Sequence, residues 1–131
     1  MNNFQLDIIT PGNIISYQNV SYLRIPSLDG LTGIQAKHAN SIIALDIGEI
    51  KITIDGKDQY FSTSGGFGDI QSESVQLLIE SFEACDTIDK DRAQKSLKRA
   101  EKRIKDKSMD LVRTEIALKR AKNRLRVSNK F

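Results

Sequence analysis

Arg92 and Arg99 stand seven residues apart, which sets two guanidinium groups two turns apart on one face of a helix. A guanidinium presents a fork of donors that suits phosphate oxygens. Asp89 lies three residues before Arg92 and can cap that helix by accepting from backbone N–H groups two or three positions on. Two readings stand side by side. In one, Asp89 is a cap and Arg92 a solvated first-turn arginine; in the other, both also touch a phosphate-bearing ligand. A second cationic cluster, Lys119-Arg120-Ala121-Lys122-Asn123-Arg124-Leu125-Arg126, lies near the C-terminus. Its density suits nucleic-acid phosphates or an acidic protein surface. Aromatic residues, which stack on single-stranded bases, are absent from 86–130.

Little else in the chain could do chemistry. His38 is the only histidine and Cys85 the only cysteine, so neither a disulfide nor a metal-ligand spacing is available. Gly65-Gly66-Phe67-Gly68 lacks the lysine and following helix of a phosphate loop and reads as a bend or β-bulge. No set of nucleophile, base and orienting group is visible, so catalysis is not expected.

The cationic residues need helices to position them. Ala93, Leu97, Ala100 and Ile104 follow a spacing of 4, 3 and 4, which predicts a helix over about 88–103. Ile88 and Ala93 sit at the hydrophobic-staple positions around an Asp89 cap. Asp91–Lys95 and Glu101–Lys105 are expected ion pairs. Asp106-Lys107-Ser108 is the expected break, with Ser108 capping a second helix. That helix carries Leu111, Thr114, Leu118, Ala121 and Leu125 on one face, with Val112 and Ile116 beside it. The small Ala93, Ala100, Ala117 and Ala121 allow two antiparallel helices to approach closely, giving an αα-hairpin. Its apolar stripe is narrow, so its docking is expected to be marginal.

Upstream, the chain changes style. Phe4 to Thr10 alternates, Pro11-Gly12 marks a turn, and Asn13 to Ile25 reads as extended chain. Pro26 to Gly33 reads as a loop and Ile42 to Leu45 as a short strand. Lys51 to Ile54, Asp55-Gly56 and Lys57 to Phe61 form a hairpin pattern, because Asp-Gly accepts the positive φ of a type I′ turn. Val75 to Ile79 closes the series. Short strands at spacings of about ten residues predict a mainly β sandwich of about ten strands, followed by the helical hairpin. The expected domains are 1–85 and 86–131. No apolar run approaches the roughly 20 residues of a membrane span, and the N-terminus does not read as a secretory leader.

Charge divides at the same place. Residues 1–85 hold 4 Lys/Arg against 10 Asp/Glu, a balance of −6, while 86–131 hold 16 against 7, a balance of +9. An acidic body with a basic tail points to an anionic partner for the tail.

Gly30-Leu31-Thr32-Gly33-Ile34, His38-Ala39, Ala44-Leu45-Asp46-Ile47-Gly48, Ser64-Gly65-Gly66-Phe67 and Ile88-Asp89-Lys90-Asp91-Arg92-Ala93 occur in an order and spacing that resembles the epsilon subunits of F-type ATP synthases. The likeness runs from about Phe4 to Val127. It implies a ten-stranded sandwich with a C-terminal helix-loop-helix, in a non-catalytic rotor subunit of the central stalk. The partners it implies are the gamma subunit, the ring of c subunits and the alpha/beta hexamer. It further implies that the hairpin can extend and inhibit ATP hydrolysis, with Lys119, Arg120, Lys122, Arg124 and Arg126 opposing an acidic segment of beta. ATP is implied as a regulatory ligand of the folded-back hairpin, at Glu83, Ile88, Asp89, Arg92, Ala93, Arg99 and Arg126. Lys122 stands where nucleotide-binding members commonly have arginine. Gly30, Leu31, Gly33 and His38 are implied to face the c ring, with Leu31 at a position often held by a carboxylate. No required cofactor and no metal are implied. The expected location is peripheral, on the cytoplasmic face of a bacterial plasma membrane or the stromal face of a thylakoid. The alternative reading is a nucleic-acid-binding module using the basic hairpin.

Overall fold

The computed structural model describes residues 3–104 and 111–130. Nine strands come first: β1 (Phe4–Thr10), β2 (Asn13–Ser27), β3 (Gly30–Ile34), β4 (Ser41–Leu45), β5 (Gly48–Ile54), β6 (Lys57–Thr63), β7 (Gly66–Ile70), β8 (Ser74–Ile79) and β9 (Glu83–Ala84). Two helices follow, α1 (Lys90–Ile104) and α2 (Leu111–Ser128). The expected break at 106–108, the Ser108 cap and the Glu101–Lys105 pair lie outside the described residues.

β2 organises the sandwich. Its first half pairs with β1, from Thr10↔Asn13 to Phe4↔Val20. Its second half lies between β3 and β5, with Leu23 opposite both Ile34 and Ile52. The register shifts near Val20 in both ladders, and Asn19 has a φ of 58°. An irregularity of this kind lets one strand pass from one layer to the other. One layer is β1-β8-β7-β4, completed by the start of β2; the other is β3-β2-β5-β6-β9. β1 and β8 pair in parallel, Leu6 beside Val75 and Ile8 beside Leu77.

Alternation fills the space between the layers. Phe4, Leu6 and Ile8 of β1, Val20, Leu23 and Ile25 of β2, Ile50 and Ile52 of β5, and Val75, Leu77 and Ile79 of β8 are all buried in one core. The Asp55-Gly56 turn has φ values of 52° and 74°, the two positive angles that a type I′ hairpin demands.

Three expectations are corrected. Pro26 to Gly33 is a hairpin and not a loop: Pro26 pairs with Leu31 and Ser27 with Gly30. Pro26 lies beyond the last β2–β5 pair, Arg24↔Lys51, where a missing N–H breaks no ladder with β5. Ser64 to Gly68 is more than a bend, since Gly66–Ile70 is a strand zipped between β4 and β8. Asp91 and Lys95 do not close an ion pair; both are exposed, where such a pair gains little over hydration.

The hairpin packs through the alanines. Ala93, Ala100 and Ala121 are buried, as is Thr114, with Leu97, Leu118 and Leu125 half-buried. Val112 and Ile116 are exposed, so the packed face is narrower than the apolar pattern.

Candidate functional site

The junction after β9 is fixed from both sides. Thr87 donates through N and Oγ1 to the carbonyl of Ala84, at 3.0 and 2.9 Å, and Cys85 N donates to Tyr60 O at 3.0 Å. Asp89 then caps α1: its Oδ1 accepts from Arg92 N at 3.1 Å. Ile88 and Ala93 flank the cap and are buried together with Val127 near the end of α2, with Cys85 and Leu125 against them. The start of α1 is thereby pinned to the end of α2.

The seam between α2 and the sandwich is polar. Asn123 is buried, and its Nδ2 donates to Gly48 O at 2.8 Å and Ser62 Oγ at 3.0 Å. Gly48 suits this place because its own Cα packs on Pro26; a Cβ there would lie 2.5 Å from Pro26 Cβ. Charge pairs ring the amide. Lys119 Nζ sits 2.9 and 2.7 Å from the two carboxylate oxygens of Asp46. Arg124 grips Glu83 with Nε and Nη2, at 2.8 and 3.0 Å. Arg120 lies 3.7 Å from Glu80. Lys130 approaches Glu49 at 4.0 Å and the face of Tyr60 at 5.2 Å from its centroid. The ammonium of Lys119 holds the Asp46 carboxyl below its ordinary pKa, chiefly by hydrogen bonding.

Two cavities flank the seam. One of about 320 Å³ is lined by Ser62, Thr63, Ser64, Ser81, Arg120 and Arg124 around Glu83. One of about 430 Å³ lies on the other side, between Arg24, Gly30, Leu31, Glu49, Arg126 and Lys130.

The residues expected to contact ATP fall into three groups. Ile88, Asp89 and Ala93 come together at the cap. Arg92 and Arg99 are exposed along α1, with Arg99 Nη2 3.4 Å from Ser96 Oγ. Glu83 is engaged by Arg124, and Arg126 donates to Asn123 Oδ1 at 2.9 Å on the side of the larger cavity. No hydrogen bond or ion pair among the described residues joins Arg126 or Glu83 to Arg92 or Arg99. Of the basic cluster, Lys119, Arg120 and Arg124 end on sandwich carboxylates, while Lys122 and Arg126 make no ion pair among the described residues. Gly30 and Leu31 lie at the β2–β3 turn, Gly33 packs against the Tyr22 ring, and His38 Nδ1 is 2.8 Å from Ala39 O in the next connection.

Two features carried no local sequence signal. The role of Asn123 needed the fold, because an asparagine amid cations reads as one more polar surface residue. The other is an apolar row on the outer face of one layer. Ile14 pairs with Ile9, Ile9 with Leu78, Leu78 with Phe67 and Phe67 with Ala44. Directly opposed residues share a face, so the row crosses five strands, and Ile14, Phe67 and Leu78 are 68%, 59% and 48% exposed. Among the described residues there is no group of three or more His, Cys, Asp or Glu able to hold a metal, and no helix is long and apolar enough to cross a membrane.

Two family models match in series: the beta-sandwich domain of the ATP synthase Delta/Epsilon chain over residues 3–85, and its long alpha-helix domain over 86–129. The chain belongs to the ATP synthase delta/epsilon chain family. Relatives called ATP synthase epsilon chain are similar over nearly their whole length. That of Nitratidesulfovibrio vulgaris is 37% identical over 128 residues, covering 95% of each chain. That of Staphylococcus saprophyticus is 32% identical over 132 residues, covering 98% of each. Among solved structures, a chain of the Euglena gracilis mitochondrial ATP synthase, in an assembly of OSCP, F1 and c-ring, superposes with a TM-score of 0.84 at 22% identity, covering 94% of this chain and 79% of that one. That likeness is one of fold, and delta/epsilon membership rests on the family models and the bacterial relatives.

Proposed function

We propose that this delta/epsilon chain is a non-catalytic rotor subunit of the central stalk of an F-type ATP synthase, coupling proton translocation to ATP synthesis. The observation that carries the reading is the serial match of both domains, 3–85 and 86–129, with epsilon-chain relatives of the same length. In this reading the subunit is peripheral, on the cytoplasmic face of a bacterial plasma membrane; the bacterial relatives support that over a thylakoid location.

The apolar row from Ile14 to Ala44 is the surface offered to the gamma subunit. Rows of exposed apolar side chains on a sheet are sites of protein association, and this one lies on the layer remote from the β5–β6 surface that holds α2. Gly30, Leu31, Gly33 and His38 face the c ring. The hairpin lies folded against the sandwich; extended, its cations Lys119, Arg120, Lys122, Arg124 and Arg126 meet an acidic segment of beta and block ATP hydrolysis.

ATP is the regulatory ligand of the folded-back state, with no cofactor required. Asp89 and the adjoining backbone orient it, and Arg92, Arg99 and Arg126 meet its phosphates. Glu83 joins once it exchanges its arginine partner, and Ile88 and Ala93, packed against Val127, hold the cap in place for it. At a hundredfold excess over Kd, such binding stabilises the folded-back hairpin by about 2.7 kcal/mol.

Reconstitution tests the whole. Added to an alpha/beta/gamma core lacking its own epsilon chain, this chain is expected to co-purify with the core and lower its ATPase rate. Failure to co-purify overturns the stalk reading. Calorimetric titration of the isolated chain tests the ligand separately: no saturable heat at millimolar ATP removes ATP and leaves an unliganded subunit.

A further inference from the structure

The cations that hold α2 down are drawn from the cluster assigned above to an acidic partner. We infer that the acidic rim of the sandwich, Asp46, Glu80 and Glu83, is an internal competitor for Lys119, Arg120 and Arg124, so that these three residues hold the hairpin or bind an acidic polypeptide, and cannot do both. The inference rests on the hairpin reading above and adds what an acidic partner must displace.

Three observations carry it. First, the pairs use up the donors. Arg124 spends Nε and Nη2 on the two oxygens of Glu83, which leaves no such fork on that edge for a second carboxylate. Lys119 lies within hydrogen-bond distance of both oxygens of Asp46. Second, the rim is assembled from distant parts of the chain. Asp46 comes from the β4–β5 turn, Glu80 follows β8 and Glu83 lies on β9, yet the fold sets them opposite three cations within six residues of one helix. Of the other sandwich acids, Glu49 is held by Arg24 and meets only Lys130, beyond the end of α2, while Asp58 pairs with Lys51 and Asp69 accepts from Gln71. Third, Asn123 fixes the register between the two charge sets. Its buried bonds to Gly48 and Ser62 lie between the Lys119–Asp46 and Arg124–Glu83 pairs, so a helix slid by one turn loses both pairs and anchor. Charges matched across a contact in this way select partner and register more than they add affinity.

The test uses the full chain and a fluorescently labelled polyglutamate peptide, followed by anisotropy at low salt. The double substitution Asp46→Asn/Glu83→Gln is expected to bind the peptide about fivefold more tightly than the parent, the size expected of two partly exposed ion pairs. Asp69→Asn/Glu73→Gln removes the same charge away from α2 and is expected to bind like the parent. Hydrogen exchange of the β1–β8 amides shows whether each variant retains the sandwich. Equal binding by all three chains overturns the inference. So does an equal gain in both variants, which makes the effect one of net charge, and so does an absence of binding throughout. The measurement needs no alpha/beta/gamma core, so its failure is distinct from a failure to co-purify with that core.

Discussion

The amide of Asn123 serves the carbonyl of Gly48 and the hydroxyl of Ser62 from one nitrogen, and both side chains are buried. Removing it strands a buried acceptor, which costs more than a hydrogen bond contributes on average. Asn123→Ala is therefore expected to weaken docking of α2 by about 1–3 kcal/mol, read as faster hydrogen exchange in α2 with unchanged exchange in β1 and β8. Asp89 belongs to a different account. It is exposed, and its value lies in one cap bond to Arg92 N. Asp89→Ala is expected to cost about 1 kcal/mol of helix stability and Asp89→Asn a few tenths, both visible as fraying of the first turn of α1. Asp46 gives the seam its pH dependence. Its carboxyl titrates below the ordinary value in the folded state because of Lys119. The stabilisation is therefore fully present above the unfolded pKa of about 3.9 and is lost as pH falls through the lower folded value. Docking of α2 is expected to be flat from neutrality to about pH 5 and to weaken in more acid solution, and Asp46→Asn removes that share of the loss. The pair is largely exposed, so the effect is small.

α2 carries two stripes, and only one of them was legible beforehand. The stripe towards α1, Thr114, Leu118, Ala121 and Leu125, follows the helical period in apolar or small residues, and period is what a sequence displays. The stripe towards the sandwich is Lys119, Asn123 and Lys130, with Arg120 and Arg124 beside it. It is polar because the surface it meets is polar, and nothing local distinguishes it from a solvated face. β3 was hidden for a related reason. Its core contact is the single residue Ile34, and the Pro and two Gly around it outweighed the alternation. The Asp55-Gly56 turn and the Asp89 cap were legible because each depends only on neighbours in sequence. The mixed character of α2 separates two responses. Val127→Ala removes buried methyl groups from the contact with Ile88 and Ala93 and is expected to loosen the hairpin by about 1–2 kcal/mol, insensitive to salt. The ion pairs around Asn123 are screened at about 1 M salt, so α2 of the parent is expected to exchange faster there while the sandwich melts unchanged.

The division of charge along the chain is also a division in space that the molecule partly closes on itself. The balances of −6 and +9 meet at the seam, and what faces outward is the remainder. The apolar row belongs to the same scale, since each strand holds one of its members and only the pairing of five strands aligns them. Phe67→Ser/Leu78→Ser is expected to lower affinity for the alpha/beta/gamma core at least tenfold, about 1.4 kcal/mol, while thermal melting of the isolated chain changes little, both side chains being exposed. The parallel contact of β1 with β8 has a consequence for how the molecule comes into being. As the chain is synthesised, β1 must wait, unpaired on that edge, until residues 74–78 have been made, because they are its partner there. Closure over so long a stretch of chain is slow relative to helix formation. The nascent sandwich is thus the step that sets the pace, and the surface with Gly48 and Ser62 is already encoded when it closes. The helices are made after every strand of the sandwich, so that truncation or delay within 86–131 is expected to leave a folded body lacking only its clasp.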